Sequence, residues 1–386
     1  MSNAVAAEPI TSLLERVRVH DVDTHVTEPP DLWTSRLPSR WKDMAPYPTI
    51  EPNGAEHWHF GDQHIIFNQA MRTQCFDQLT QEGSLEPHAR LKWMDVNGIY
   101  SQVMYPNLLG FYPRAFMGLE PALSLACVQT YNDFQTEFAS VDPKRLIPVA
   151  NLPFWDLDTA VAELERCYAM GHRGVNMGWR FEQLGLPRLR DEYWEPVLRR
   201  AEEMGISVSF HVGFNTDAKE LDEHQSGRDT PIDHAAGPAR FFMGNANCVI
   251  ELIMGGICHR YPTLKFVSVE SGVGWLPFLV ESLDWQFLNN NLDRDYPDLL
   301  LPSEYFRRQI YGTFWFERDI AQLAELYPDN FMFETDFPHR TSLTPGEAFP
   351  HVSGPRETIV KNLATIPEDI LVKLVHGNAA KVYNLD

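Results

Sequence analysis

The chain has 386 residues, enough for two ordinary domains or one large one. Hydrophobic residues make up 44% and charged residues 22% of it, proportions typical of globular proteins that exclude wholesale disorder. The formal net charge is −21, and a surface with that balance repels phosphate backbones and anionic lipid, so we expect neither a nucleic-acid nor a membrane partner.

The cysteine content and the amino terminus indicate the compartment. Five scattered cysteines without a C-x-x-C pair are typical of a reduced protein and give no sign of a zinc ribbon. The segment Met1–Thr11 lacks the basic and then apolar pattern of a signal peptide. The most apolar helical stretch, around Cys248–Cys258, is too short to cross a bilayer. We therefore expect a cytoplasmic protein.

Short apolar, β-branched segments alternate with segments of helical period. The predicted strands, in chain order, are Arg18–Val22, Tyr100–Tyr105, Leu146–Leu152, Gly174–Met177, Ser207–Val212, Lys265–Val269, Tyr311–Phe316 and Asn330–Glu334. Amphipathic segments such as Thr159–Met170 and Glu192–Met204 lie between most of them. This alternation predicts right-handed βαβ units and a parallel sheet, and eight such units predict a closed (β/α)₈ barrel. An open doubly wound sheet is the alternative, although no G-x-G-x-x-G follows any strand.

Two segments interrupt the alternation. Residues 30–85, after the first strand, are rich in Pro, Trp and His, and residues 214–238, after the fifth strand, are polar. Loops of this length are usually functional lids or disordered. We expect one barrel domain spanning residues 1–386, with both segments as insertions near the active-site mouth.

Acidic and histidine side chains end four of the predicted strands. Asp23 and His25 lie two residues apart at the end of strand 1, so their side chains point the same way. His211, Glu270 and Asp336 end strands 5, 6 and 8. Active sites of such barrels are built at the carboxyl ends of the strands. A nitrogen and oxygen donor set without thiolate predicts a site for Zn²⁺, Mn²⁺ or Fe²⁺.

Each of these residues also has an ordinary structural interpretation. His211 alone is compatible with a hydrogen-bonded core histidine. Glu270 could form a salt bridge with an arginine from a neighbouring loop. Asp336 could be an N-cap or an Asx-turn ahead of Pro338.

The sequence resembles the amidohydrolase superfamily, specifically its amidohydrolase-2 branch, which contains metal-dependent hydrolases and non-oxidative decarboxylases. The segments that carry the resemblance are DVDTHVTEP, SFHVG, GGICHRYPTLKFVSVESGVGWLP, ETDFPH and HGNAAKVYNL. The resemblance implies that Asp23, His25, His211 and Asp336 bind one catalytic divalent metal.

Two positions depart from the pattern of the branch. Asp23 stands where the branch often has His or Glu, and Glu270 stands where its decarboxylases use a histidine as an acid. A carboxylate cannot simply replace a cationic proton donor, but it can act as an additional or bridging ligand to a second metal.

We therefore expect a hydrolase with one or two divalent ions, Zn, Fe or Mn. Asp336 would take the proton of metal-bound water, and Glu270 would orient that water or bridge a second ion. The bond could be an amide, an ester or an acyl thioester. Two alternatives stay open, namely non-oxidative decarboxylation of an aromatic or unsaturated carboxylic acid and a non-catalytic metal-binding barrel.

Further residues are candidates for contact with a small-molecule substrate. Arg180, after strand 4, could clamp a carboxylate or phosphate. His224 and His234 on the long loop and His339 after strand 8 are candidate acids or extra ligands. We expect the protein to form a homo-oligomer, most simply a dimer.

Overall fold

The computed structural model describes residues 10–50, 56–67, 76–214 and 231–385. Within them, eight strands follow one another around a barrel, and each pairs in parallel with the next. We number these strands β1 His20–His25, β2 Ser101–Tyr105, β3 Leu146–Asn151, β4 Gly174–Asn176, β5 Ser207–His211, β6 Phe266–Val269, β7 Ile310–Phe314 and β8 Phe331–Phe333. The predicted (β/α)₈ barrel is confirmed.

The first strand is the one whose predicted bounds differ most from the structure. It begins and ends later than predicted, because the alternating polar residues of HDVDTH resemble a loop when only the sequence is considered. All six residues are nevertheless buried. Polar side chains inside a buried strand are costly unless they are partnered, which already marks this strand as part of a site.

Helices connect the strands. The α-helices span Ile10–Arg16, Leu32–Arg36, Gln78–Gly83, Pro87–Asn97, Leu108–Phe111, Pro113–Met117, Pro121–Ala139, Leu157–Ala169, Glu195–Met204, Pro231–Met254, Ile257–Arg260, Leu276–Asn289, Leu292–Asp295, Pro302–Gln309, Ala321–Leu326, Pro355–Asn362, Glu368–Val372 and Asn378–Tyr383. The helix predicted to begin at Thr159 begins at Leu157, because the Asp156 side chain accepts a hydrogen bond from the Thr159 backbone N–H. Among the described helices, none combines the length and the apolarity that a membrane span requires.

The segment from Lys373 to Tyr383, a π-helical turn followed by the last α-helix, closes the amino-terminal end of the barrel. The His376 ring contacts the carbonyl of Arg18, just before β1, at 2.9 Å. Lys265, just before β6, donates a hydrogen bond to the carbonyl of Lys381. Tyr383 reaches into the barrel interior, where it packs with apolar strand side chains. Only the carboxyl end of the barrel is left for a site of the kind that the sequence predicts.

The seam between β8 and β1 is closed by a buried side chain. Asp21 accepts hydrogen bonds from the Thr335 backbone N–H at 2.8 Å and from the Thr335 hydroxyl at 2.6 Å. It also accepts one from the Gln102 amide at 3.0 Å. Because β8 is only three residues long, this carboxylate replaces much of the missing strand ladder. It thereby sets the position of the segment that follows β8.

The two predicted insertions contain regular structure. A three-stranded antiparallel sheet, which the sequence does not predict, is formed by Tyr47–Ile50, Glu56–Phe60 and Gln63–Phe67. Trp33 anchors the first insertion by donating a hydrogen bond to the Cys127 carbonyl at 3.0 Å. The second was predicted as a loop to residue 238, but the helix Pro231–Met254 takes up its end, since proline is well suited to a first helical turn. Residues 215–230 lie outside the described part, and the single-domain interpretation stays a prediction.

Candidate metal centre

Acidic and histidine side chains meet at the carboxyl end of the barrel. They come from the end of β1, the end of β5, the residue after β6 and the turn after β8. Their donor atoms form three overlapping groups, in each of which all atoms lie within 4.8 Å of one another. We call this set the donor cluster, and its members are Asp23, His25, His211, Glu270, Asp336 and His339. The structure thus brings together all five predicted ligands and adds His339, while their role as ligands stays a prediction.

The donor atoms have the spacing of a coordination shell. The Nε2 atoms of His25 and His211 are 3.1 Å apart, and His25 Nε2 lies 3.6 Å from Oδ1 of both Asp23 and Asp336. His211 Nε2 lies 3.4 Å from Asp23 Oδ1 and 3.6 Å from Glu270 Oε2. Ligands about 2.1 Å from one metal ion are separated from their neighbours by roughly 3.0–3.4 Å. The cluster therefore matches the size of a small divalent cation.

Unpartnered oxygens also indicate a cation. Both carboxylate oxygens of Asp23 and Oδ1 of Asp336 are buried and have no hydrogen-bond partner among the described residues. Both side chains are fully buried. Buried carboxylates without a hydrogen-bond donor or a cation are strongly destabilising. The residues present fit a divalent metal ion, which would satisfy these oxygens.

Backbone carbonyl groups orient the rings of the two predicted histidine ligands. Nδ1 of His25 lies 3.2 Å from the Pro106 carbonyl and Nδ1 of His211 lies 2.7 Å from the Val212 carbonyl. A carbonyl only accepts, so Nδ1 carries the hydrogen and Nε2 presents its lone pair to the cluster. Burial lowers the pKa of His211 to about 4, and it lowers the pKa of His25 well below its ordinary value. Both rings are therefore neutral, as metal ligation requires.

Two of the carboxylate residues, Glu270 and Asp336, have an unusual backbone conformation. Glu270 has φ 54° and Asp336 has φ 57°, in the left-handed region that non-glycine residues rarely adopt. Such conformations are concentrated at functional sites, where the surrounding structure imposes them. The Thr341 hydroxyl donates to Asp336 and lies 3.4 Å from Glu270 Oε1, so it links the two side chains.

Glu270 is not paired with an arginine, which was the ordinary interpretation of this residue. Within the part of the chain that the structure describes, its ion-pair partner is His211. Burial, followed by the charges of Asp336 and Asp23, holds the pKa of Glu270 well above its usual range. A carboxyl group in this position can carry a proton.

The sequence interpretation missed Glu334. This residue is fully buried, and its Oε2 accepts a hydrogen bond from the Glu270 backbone N–H at 3.3 Å. Its Oε1 has no partner among the described residues. The signal was available, because Glu334 is an acidic residue at the end of a predicted apolar strand, as Glu270 is.

The residues predicted to contact the substrate do not all lie at the donor cluster. Arg180 and Arg240 line a cavity of about 290 Å³ beside Gly213, and no member of the donor cluster belongs to its lining. Arg180 therefore lines this cavity and is not part of the donor cluster. His224 lies outside the described residues, as does the side chain of His234.

Comparisons with known proteins show what the chain resembles. The family model described as amidohydrolase matches residues 22–385. The 2-amino-3-carboxymuconate-6-semialdehyde decarboxylase of Dictyostelium discoideum is 25% identical over 370 residues, which cover 92% of this chain and 91% of that protein. The structure of 5-carboxyvanillate decarboxylase from Sphingomonas paucimobilis superposes with a TM-score of 0.65 at 20% identity, covering 96% of this chain and 100% of that one.

A further similar structure carries a metal. It is a dihydroxybenzoic acid decarboxylase from Polaromonas with bound manganese, which superposes with a TM-score of 0.62 at 18% identity. The superposition covers 96% of this chain and 97% of that one. The metal in that protein agrees with the expectation of a divalent ion, without establishing which ion this chain binds.

These comparisons contradict the prediction of a hydrolase. The similar proteins described above are decarboxylases, the activity that the sequence analysis had kept only as an alternative. Another relative, a 2-keto-4-carboxy-3-hexenedioate hydratase from Sphingobium, is 25% identical over 241 residues, which cover 60% of this chain and 64% of that protein. The prediction rested on the missing histidine after β6 and on the assumption that only a cation could replace it. A buried glutamate beside other carboxylates retains its proton far more readily than an exposed one. Glu270 is therefore no argument against decarboxylation.

Proposed function

This chain belongs to the amidohydrolase family, and we propose that it is a metal-dependent, non-oxidative decarboxylase of an aromatic or unsaturated carboxylic acid. The observation that carries the proposal is similarity to a decarboxylase along almost the whole chain, combined with a complete donor cluster at the barrel mouth. Fold alone does not determine a reaction, so the residues at the mouth have to account for the chemistry.

Four members of the cluster would hold the metal, namely Asp23, His25, His211 and Asp336. When bound, a divalent ion supplies Lewis acidity that binds substrate oxygens and stabilises the negative charge that develops as CO₂ leaves. Zn, Fe and Mn all suit a set of imidazoles and carboxylates. Manganese is the first ion to test, because a similar decarboxylase binds it.

An aromatic side chain covers the cluster. The ring of Phe111 lies 5.9 Å from the His25 ring, 5.4 Å from the His211 ring and 6.1 Å from the His339 ring, measured between centroids. A flat apolar group in this place favours a substrate with a planar, conjugated portion. That inference supports an aromatic or unsaturated acid over a saturated one.

The reaction requires a proton at the mouth. The bond between the substrate carbon and its carboxyl group breaks, the electron pair stays on the carbon, CO₂ leaves, and the carbon takes up a proton. We assign the delivery of this proton to the two carboxyl groups that Thr341 links. One of them, Glu270 through Oε1 or Asp336 through Oδ2, gives its proton to the carbon and takes another from solvent. These are the residues that the sequence analysis predicted as catalytic, although for a different reaction.

Arg180 keeps a role in this proposal as an anchor for a remote anionic group. It shares its cavity with Arg240, and two guanidinium groups in one cavity favour a carboxylate. His224 stays a candidate contact of the same kind. A substrate with a second acidic group would use this cavity while its reacting carboxylate lies at the cluster.

The proposal is tested with metal-loaded protein and a panel of aromatic and unsaturated carboxylic acids. We expect release of CO₂ and incorporation of a solvent proton at the carbon that carried the carboxylate. His211→Ala should lose bound metal and lower the rate by about 100-fold or more while the far-ultraviolet circular dichroism stays unchanged. His88→Ala removes an exposed histidine from the helix Pro87–Asn97 and serves as the matched control.

Two results contradict the proposal. One is the absence of CO₂ release across the panel from protein that contains its full complement of metal. The other is full activity and full metal content in His211→Ala, because His211 would then be a core histidine only.

A further inference from the structure

His339, a member of the donor cluster, is tightly confined by its neighbours. Its Nδ1 is 2.7 Å from Asp336 Oδ1, and its ring stacks on the His25 ring with centroids 3.8 Å apart at 28°. The residue is only 6% exposed. The sequence analysis named it as a candidate substrate contact, acid or extra ligand, and a histidine so buried and so confined has little freedom to follow a substrate.

A buried amide determines which nitrogen of His339 carries the hydrogen. The Nδ2 atom of Asn107 lies 3.2 Å from Glu28 Oε2 and 3.3 Å from the Val26 carbonyl, both of which accept hydrogen bonds. The amide nitrogen must therefore be on that side, and Oδ1 must face His339 Nε2 at 2.9 Å. Because an amide oxygen only accepts, Nε2 is the nitrogen that donates.

Glu28 in turn holds Asn107. Its Oε1 accepts hydrogen bonds from the backbone N–H groups of Asn107 at 3.0 Å and Leu108 at 2.8 Å. Glu28 is only 4% exposed. A buried carboxylate with several N–H donors is a rigid support, so the orientation of the Asn107 side chain is imposed by the fold.

Nδ1 of His339 then faces Asp336 with its lone pair. The contact does not have the alignment of a hydrogen bond, since Asp336 Oδ1 has no hydrogen-bond partner among the described residues. An Nδ1 lone pair and a carboxylate oxygen 2.7 Å apart repel each other unless a proton or a metal cation is shared by them. His25 and His211 show the same pattern, with one ring nitrogen on a carbonyl and the other directed at the cluster. This is the usual arrangement of metal-bound histidine.

We propose that His339 is a further ligand of the metal through Nδ1, and that Glu28 and Asn107 are positioning residues for this ligand. The donor atoms of His25, Asp336 and His339 lie within 4.8 Å of one another, as ligands of one ion must. The centre then has three imidazole ligands, one more than the sequence implies. The proposal concerns the metal centre and does not depend on which reaction the protein catalyses.

The test is a count of coordinated nitrogens in protein loaded with Mn²⁺ and free of substrate. Pulsed electron paramagnetic resonance should show three imidazole nitrogens in the wild type and two in His339→Ala. Calorimetric titration with Mn²⁺ should show affinity at least about 10-fold weaker in His339→Ala. Asn107→Leu keeps the size of the side chain but removes the acceptor, so it should weaken Mn²⁺ binding by about 10- to 100-fold. His88→Ala should leave both measurements unchanged.

Three outcomes overturn the proposal. Two imidazole nitrogens in the wild type would show that His339 is not a ligand, even if the variants do not fold. Three nitrogens in both proteins would show that another histidine is the third ligand. Unchanged Mn²⁺ affinity together with lost CO₂ release in His339→Ala would place His339 in the reaction and not on the metal. If the protein turned out not to be a decarboxylase, the expected count of three imidazole nitrogens would still hold, so the two proposals can fail independently.

Discussion

At the scale of single residues, the centre is defined by an excess of buried negative charge. Asp23, Glu270, Glu334 and Asp336 are all buried at one end of the barrel. In the described part of the chain, the basic side chains close to Asp23, Glu270 and Asp336 are neighbouring histidines, and no lysine or arginine forms an ion pair with any of the four. One divalent ion balances two carboxylates, so the remaining two require protons or a second cation.

Replacement of Glu270 tests whether a second ion is bound. The residue contributes to a donor group with Asp23 and Asp336 that contains no histidine but shares Asp23 with the group of His25 and His211. If the Glu270 carboxylate binds a second ion, Glu270→Gln lowers the metal content from about two ions to about one, because the amide keeps the shape but removes the charge. The measurement is metal analysis of purified protein after equilibrium dialysis.

The matched control for this variant is Glu317→Gln. Glu317 accepts a hydrogen bond from the Val273 backbone N–H at 2.8 Å and is not a member of the donor cluster. Its replacement should leave metal content unchanged. A single ion in both the wild type and Glu270→Gln would show that Glu270 influences the centre only through its charge or its proton.

At the scale of elements, the junction of β8 with β1 determines whether the centre exists. The Asp21 carboxylate joins these strands, and the Asp336 backbone N–H donates to the Asp23 carbonyl at 3.0 Å. Both ligand-bearing segments therefore depend on one seam. A change in that seam should affect folding and metal binding together.

We expect Asp21→Ala to lower the free energy of unfolding by about 3–5 kcal/mol, because it removes the acceptor of four buried donors. Urea denaturation of metal-free protein measures this loss. Asp95→Ala is the control, since Asp95 forms an exposed ion pair with Arg145 and should cost about 0–1 kcal/mol. Equal losses in the two variants would show that the Asp21 network does not close the barrel.

At the scale of the whole molecule, buried histidines remote from the metal centre make stability depend on pH. His172 is 1% exposed, and its Nε2 lies 2.9 Å from the Thr136 hydroxyl. Burial lowers the pKa of His172 to about 4 and that of His20, near the amino-terminal end of the barrel, to about 3. Between these values and the ordinary 6.5, the unfolded chain binds protons that the folded chain does not. The stability that these two histidines contribute is therefore fully present above pH 6.5 and is lost as the pH falls towards 4 for His172 and towards 3 for His20.

His172→Gln should reduce this pH dependence. Glutamine can keep a hydrogen bond to Thr136 but does not titrate, so it removes the proton uptake of the unfolded chain at this position. Between about pH 7.5 and about pH 5, we expect the wild type to lose about 2 kcal/mol more than the variant. Chemical denaturation of metal-free protein at the two pH values measures the difference. Identical losses would show that His172 is protonated in the folded protein.

The barrel and most of the candidate centre could be predicted from the sequence, because both depend on local periodicity. Short apolar runs predict strands, and residues two apart on a strand share a face. The carboxyl ends of parallel strands meet at one end of a barrel. These rules bring Asp23, His25, His211, Glu270 and Asp336 together without any coordinates. Applied once more, the same rule would have found Glu334.

Only the tertiary structure decided the rest, because it depends on contacts between distant parts of the chain. Asn107 meets His339 across 232 residues and Glu28 across 79, so no local pattern reveals that His339 presents Nδ1 to the centre. The proton affinity of Glu270 likewise depends on Asp23 and Asp336, which arrive from other strands. The sequence-based choice of hydrolysis, which the comparisons contradict, rested on residue type alone, whereas burial and the charges folded around a residue also set its pKa.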